Sequence, residues 1–388
     1  MRIAYVTESF APDVNGVAHT AMRVAEHLAA RGHEPLVIAP APARGAARPD
    51  DSLSYPVVRI PAVSTGVYAG FRVGLPLPRL RAVLAAHAPD VVHLAGPFVL
   101  GSAAERAARR LGVPAVAVFA TDLAAFARCY GGGPLAEAAC WRRLRRIHNQ
   151  AGRTLAPTAA TAAQLTAHGI ERVRVWGRGV DTGRFAPGRR SPALRAQLAP
   201  GGEVIAGYVG RLAAEKYLPL LAGVTRLPGV RLVIGGSGPA EAAARRALPG
   251  AVFLGPRHGA GLAALYASLD IFVHSGPHET FGNTLQEAAA SGVPVVAPAA
   301  GGPLDLVDHG RTGLLVPPGD AAALADAVAL LAGRPELRAA QGMQARTRML
   351  ARSWPACGDE LIGHYRDVLR DHRPGTAARE PQPVSVPA

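Results

Sequence analysis

Two glutamates eight positions apart, Glu279 and Glu287, are the residues whose spacing most directly suggests chemistry. Between them lie Gly282 and the hydroxyl or amide side chains of Thr280, Asn283, Thr284 and Gln286. Ionised carboxylates accept hydrogen bonds without donating any, so such a pair suits a polyhydroxylated ligand. Glu287 is placed to hold a ribose diol, and Glu279 to reach the hydroxyls of a bound sugar. A second pair is cationic. Arg211 and Lys216 follow the apolar run Val204–Val209, and Lys216 is the only lysine among 42 basic lysine and arginine side chains. Two cations after a strand can hold a diphosphate from both sides, arginine through its fork and lysine as a compact point charge. The same cations stabilise charge that builds on a leaving diphosphate.

The elements that must position these groups are legible in the apolar pattern. Ile271–His274 reads as a short buried strand closed by Ser275-Gly276-Pro277, and Leu285–Ala290 as a helix stopping at Gly292. Glu287 then falls about one turn after Asn283 on the same helix face. The helix start presents free N–H groups that attract anions. At the amino end, Ile3–Val6 reads as a strand, Thr7–Gly16 as a loop and Val17–Ala30 as a helix, the opening of a doubly wound α/β domain. Gly16 would let a backbone N–H approach a diphosphate closely, although Asn15-Gly16 also fits a plain turn before a helix. A second strand, glycine and helix unit begins at Val204 and carries Arg211 and Lys216, with a helix expected over Tyr217–Arg226. Gly235–Pro239 is a glycine turn after another buried strand. Trp176–Pro187 holds three glycines, lacks periodicity and reads as a crossover between the halves. A chain of 388 residues suits two domains. We expect residues 1–178 as one Rossmann-like domain and 188–352 as another. A last helix would follow at 353–371, and a Pro-rich disordered tail at 372–388.

Composition narrows the partners. Hydrophobic content of 49% excludes a disordered chain, and the net charge of +14 favours an anionic partner. Aromatics at 5% and the lack of a nucleic-acid motif argue against nucleic acid. Phosphate-rich small molecules and a lipid surface fit better. Cys129, Cys140 and Cys357 are odd in number and lack ligand-like spacing, against a disulfide framework or zinc site. The chain opens directly as a strand, and no run of eighteen apolar residues occurs. The expected location is the cytoplasm, with peripheral attachment at the inner face of the plasma membrane as a further expectation. Leu135–Gln150 reads as a helix with Arg142, Arg143, Arg145 and Arg146 around an apolar stripe of Trp141, Leu144 and Ile147. That pattern suits either an anionic bilayer or a solvated basic face. His93 ends the strand Val91–His93, at the sheet edge where ligands bind in open α/β folds; it is either an acceptor-side residue or a structural histidine.

The spacing Glu279-x7-Glu287 is followed by the strand Ser291–Ala297 and by Gly301-Gly302-Pro303. Gly210-Arg211 with Glu215-Lys216, the Gly235–Pro239 turn and Gly179-Val180-Asp181 accompany it. Together these motifs resemble the retaining glycosyltransferases of family 4, over about residues 1–370. The resemblance implies the GT-B fold, two Rossmann-like α/β domains facing across a cleft, with a nucleoside diphosphate sugar held mainly on the second. It implies Arg211, Lys216 and Glu279 as catalytic residues. It adds Gly16, Phe281, Gly282, Asn283 and Glu287 to the donor site; His93, from its place at the sheet edge, and Asp122 are the acceptor-side candidates. The expected reaction is a front-face displacement in which the leaving phosphate takes the acceptor's proton. No Asp-x-Asp occurs, so neither a metal nor a cofactor beyond the donor is implied. The chain departs from the family at Ala120, where many relatives carry a histidine that contacts the donor sugar; Asp122 or a neighbouring histidine would have to substitute. Within the family, TESFAPDVNGVAHT, RTLAPTAAT, GRGVD and HSGPHETF resemble actinobacterial GDP-mannose-dependent α-mannosyltransferases acting on glycolipids. That implies GDP-mannose as donor and a lipid or glycolipid acceptor. The alternatives are a UDP-sugar-dependent enzyme acting on a soluble metabolite or natural product, and a non-catalytic nucleotide-sugar-binding relative.

Overall fold

The computed structural model describes residues 1–13, 15–43, 49–64, 72–75, 78–96, 99–124 and 133–372. Gly66, Gly70, Cys129 and the tail expected beyond residue 372 lie outside the described residues. The first half carries strands β1 (Arg2–Val6), β2 (Glu34–Pro40), β3 (Val57–Ile60), β4 (Ala62–Ser64), β5 (Arg72–Gly74), β6 (Val91–Leu94), β7 (Ala115–Val118), β8 (Arg153–Ala156) and β9 (Val173–Val175). Seven of these form a parallel sheet in the order β3-β2-β1-β6-β7-β8-β9. β4 and β5 pair antiparallel. Three residues a side are too few to show alternation in the sequence.

The second half carries β10 (Val204–Val209), β11 (Val230–Gly235), β12 (Val252–Gly255), β13 (Ile271–Val273), β14 (Val295–Pro298) and β15 (Gly313–Val316). These form a second parallel sheet, β12-β11-β10-β13-β14-β15. The strands are apolar on both sides because helices cover both faces. In β1 the pleat sends Ile3 and Tyr5 into one core cluster and Ala4 and Val6 into another. In β10, Ile205 and Val209 face one cluster, Ala206 and Tyr208 the other. Strand order reverses between β1 and β6 and again between β10 and β13. A crevice opens at such a reversal, at the carboxyl ends of the strands.

Helix Gly16–Ala30 follows β1, and Asn15 is its N-cap: Val17 N and Ala18 N donate to Asn15 Oδ1 at 3.0 and 2.9 Å. The helix expected over Tyr217–Arg226 is instead a 3-10 helix over Leu218–Arg226, entered through Tyr217 with φ of 50°. Pro219 in its first turn has no N–H to contribute to a regular helix. Two short helices, Pro192–Leu198 and Glu241–Ala247, went unrecognised in the sequence. The first carried a start signal in Ser191-Pro192, and Leu194 N donates to Ser191 Oγ at 3.2 Å.

The two halves are joined by paired crossings. Val180 N donates to Arg352 O at 2.9 Å beside a bridge between Val180 and Ser353, so the outgoing and returning chains run side by side. Asp181 caps the outgoing turn, accepting from Arg184 N at 2.9 Å. The final helix, Trp354–Asp371, then packs on the first sheet, where Leu361, Ile362, Tyr365 and Val368 share a core cluster with Ile3, Tyr5 and Leu28. Among the described residues no helix is long and apolar enough to cross a membrane.

Candidate active site

The two reversal points face each other, and the residues singled out by chemistry collect between them. Lys216 follows β10 and Glu279 follows β13, the strands flanking the reversal in the second sheet. Lys216 Nζ donates to Glu279 Oε2 at 2.6 Å, with side chains 20% and 19% exposed. Burial alone would raise the Glu279 carboxyl; Lys216, His274 and Arg178 more than offset it and hold it down to about 2. His274, the residue after β13, sets its Nε2 3.7 Å from the same carboxylate oxygen and stacks on Tyr208. Burial pushes the His274 imidazole down to about 4, so it is neutral at working pH. Arg211 lies at the start of the loop that carries Lys216, with its guanidinium bonded to Glu215.

Backbone contacts lock these loops together. Ser275 Oγ donates to Lys216 O at 2.7 Å, and a Cβ on Gly276 would meet Glu215 O at 2.9 Å. Beneath them, Gly302 N donates to Glu279 O at 2.6 Å, and a Cβ on Gly302 would overlap the Phe281 carbonyl oxygen. The Gly235–Pro239 turn serves the other side. Gly236 has φ of 134° and any side chain there would strike the Gly210 carbonyl, so this turn backs directly onto the Gly210-Arg211-Leu212 loop. Leu212 N donates to Ser237 O at 2.9 Å across that contact.

Helix Asn283–Ala290 begins at Gly282, whose φ of 106° turns the chain from the Glu279 loop into the helix. Glu287 stands one turn in, half-buried beside Tyr266. Burial pushes its carboxyl up to about 7, against smaller opposing effects of Tyr266 and Arg184. Across the cleft, Gly16 sits so close to Asn283 that a Cβ would lie 2.7 Å from Asn283 Nδ2. Thr158 and Thr161 donate from the first half to Thr280 O at 3.4 and 3.2 Å, and Thr280 Oγ1 returns a bond to Ala120 O at 3.3 Å.

Comparison with known proteins agrees with this arrangement. A model of Glycosyltransferase Family 4 matches residues 14–184, and one of Glycosyl transferases group 1 matches residues 203–333. The chain is 49% identical over 373 residues to the GDP-mannose-dependent alpha-mannosyltransferase of Mycolicibacterium smegmatis, covering 95% of this chain and 98% of that one. The chain belongs to glycosyltransferase family 4. A second relative, the GDP-mannose-dependent alpha-mannosyltransferase of Corynebacterium glutamicum, is 43% identical over 95% of the family 4 chain described here and 89% of its own. Sucrose-phosphate synthase of Thermosynechococcus elongatus superposes with a TM-score of 0.78 at 22% identity, over 95% of this chain and 99% of that one. HepE of Anabaena, in complex with UDP and glucose, gives 0.74 at 21% identity over 94% and 99%. At those identities the likeness speaks for the fold alone, and that fold is GT-B.

Two expectations for this family 4 glycosyltransferase need correction, and a third is narrowed. His93 is not on the acceptor side. It is fully buried, stacked on Tyr5 at 4.2 Å between ring centroids and bonded through Nδ1 to the Tyr365 hydroxyl at 2.7 Å. The returning final helix covers it, which no local pattern could show. The Phe281 ring is also core, 1% exposed, so it cannot line the open donor site; it lies instead beneath the Arg178 guanidinium. The apolar stripe of the basic helix, Gly133–Gln150 in the structure, is turned inward: Trp141, Leu144 and Ile147 are buried. The arginine face is exposed, beside a groove of about 640 Å³ that Arg142, Arg145 and His168 help to line. Asp122 is half-buried and accepts from Gln164 Nε2 at 3.0 Å, on the loop whose Ala120 meets Thr280.

Sequence reasoning passed over three groups here. In sequence His274 reads only as a strand end, and Arg178 only as part of the crossover. Glu8 accepts from Leu100 N at 2.6 Å and Gly101 N at 3.1 Å, holding the start of helix Leu100–Arg110, and burial pushes its carboxyl up to about 7.

Proposed function

We propose that the protein transfers mannose from GDP-mannose to a lipid or glycolipid acceptor with retention of anomeric configuration, at the inner face of the plasma membrane. The observation that carries this is the Lys216–Glu279 ion pair at the reversal edge of the second sheet. It occurs in a chain 43–49% identical along most of its length to enzymes named GDP-mannose-dependent alpha-mannosyltransferase. In this reading residues 188–352 are the donor domain and 1–178 the acceptor domain. Arg211 and Lys216 take the diphosphate, and Gly16 brings helix N–H groups to it across the cleft. Glu287 accepts the ribose diol. Glu279 is already ionised and orients the sugar hydroxyls, while Gly282 and Asn283 shape the turn beneath it. As the glycosidic carbon–phosphate oxygen bond breaks, negative charge grows on the diphosphate and Lys216 and Arg211 stabilise it. The acceptor hydroxyl attacks from the same face and gives its proton to the departing phosphate oxygen. Protein groups supply position and field rather than a nucleophile. Asp122 is the remaining acceptor-side residue. The exposed Arg142, Arg143, Arg145 and Arg146 attract anionic lipid by charge, since the apolar stripe of Trp141, Leu144 and Ile147 is buried.

The test supplies GDP-mannose, UDP-glucose and UDP-galactose in turn with a lipid extract, following released nucleotide and identifying products by mass spectrometry. Release of GDP with a mannosylated lipid is expected. Preference for a UDP-sugar overturns the mannose assignment, and tight binding without turnover makes the protein a non-catalytic relative. Co-sedimentation with anionic liposomes should fail once the four arginines are replaced by glutamate; retention would remove the role given to these arginines, and no co-sedimentation of the unaltered protein would remove the membrane role.

A further inference from the structure

We infer that Arg178 binds the donor's diphosphate as a third cation, supplied by the crossover between the halves and not by the donor domain. The inference deepens the donor reading above and rests on it. Arg178 is only 7% exposed. Among the described residues its guanidinium forms no ion pair and no side-chain hydrogen bond. A guanidinium withdrawn from water without an anion is costly, and such a charge persists where an anion completes it. The contact it does make is with the Phe281 ring, whose centroid lies 5.6 Å from the guanidinium carbon, a partial compensation.

Its position names the anion. A Cβ on Gly16 would lie 3.5 Å from an Arg178 guanidinium nitrogen and 2.7 Å from Asn283 Nδ2. Three kinds of donor from both sides of the cleft therefore converge on one point: the guanidinium, the Asn283 amide and the first turn of helix Gly16–Ala30. The carboxylate whose charge Arg178 feels is Glu279, and its ion pair is with Lys216. Burial pushes Arg178 below its usual range while Glu279 and the Tyr5 hydroxyl oppose that, in keeping with a cation awaiting a partner. The sugar-bearing phosphate of a nucleoside diphosphate fits: it needs planar, forked donors, and it must sit next to the carboxylate that orients the sugar. The crossover would then read whether the donor is whole.

The measurement is a ladder of guanosine, GMP and GDP titrated by calorimetry against the full chain and Arg178→Gln. The wild-type protein should bind GDP more tightly than GMP. Arg178→Gln should lower the GDP-to-GMP affinity ratio at least about tenfold, the usual loss for a charged hydrogen bond, and leave GMP affinity within about twofold. An unchanged ratio overturns the inference while the donor reading stands. No gain from GMP to GDP in the wild-type protein overturns both. A purely structural role would weaken all three ligands together, and that outcome also overturns it. Should Arg178→Gln not fold, Arg178→Lys carries the test: charge is kept and the fork lost, so the ratio should fall about threefold, and no fall counts against the inference.

Discussion

Lys216 and Glu279 illustrate how one ion pair can serve a ligand that is not yet there. Lys216 holds Glu279 ionised in a mostly buried setting; in the proposed reaction an arriving diphosphate draws the lysine away while the sugar hydroxyls replace it on the carboxylate. Lys216→Ala should lower kcat about a hundredfold or more, the scale seen when a donor to developing charge is removed; nucleotide release from GDP-mannose checks it. Glu287 behaves oppositely. Its carboxyl is raised to about 7, so the fold favours the protonated form. That contribution to stability is complete below the usual carboxylate range and is lost as pH rises through 7. In the proposed role, holding a ribose diol requires the ionised form, so donor affinity should weaken about tenfold per pH unit below 7 and level off above it. Glu287→Gln should flatten the profile; titrations of GDP-mannose from pH 5.5 to 8.5 decide.

At the scale of elements, the site is a stack of loops that approach each other at backbone distance. The Glu279 loop rests on Gly301-Gly302, and the Arg211 loop rests on Gly236 and Gly238. These contacts set where Lys216 and Glu279 emerge, far more than the strands do. Gly302→Ala would drive a methyl into the Phe281 carbonyl and push the Glu279 loop outward. We expect a loss of about 1–3 kcal/mol of stability, with weaker donor binding alongside. Thermal melts with and without GDP separate the two effects, and an unchanged melting temperature would refute the packing argument. Helix Asn283–Ala290 depends on the same turn, since Gly282 must hold φ of 106° to enter it.

Across the whole molecule, the final helix ties the two halves together. It leaves the second half beside the crossover and buries Leu361, Ile362, Tyr365 and Val368 against the first sheet. Trp176 Nε1 donates to Cys357 O at 2.9 Å, and Arg153 pairs with Asp367 at 2.8 Å. Tyr365→Phe would leave His93 in the core without its partner. The cost should be about 1–3 kcal/mol in urea unfolding, with no change in GDP affinity. A change in GDP affinity would return His93 to the ligand site.

Much of this architecture is local and was therefore readable from the chain alone. The alternation of apolar runs with helical patterns, the Asn15 cap and the glycine turns depend on residues within a few positions of each other. So does the arrival of Arg211, Lys216 and Glu279 after strand ends and of Glu287 in the helix that follows. What lies 63 residues apart, the Lys216–Glu279 pair, could be expected to share a pocket but not to touch. The inward turn of His93 and Phe281, the burial of the apolar stripe beneath the arginine helix and the isolation of Arg178 were hidden for one reason. Each depends on which distant strand or helix covers a position, and only parallel sheet order and the return of the last helix decide that.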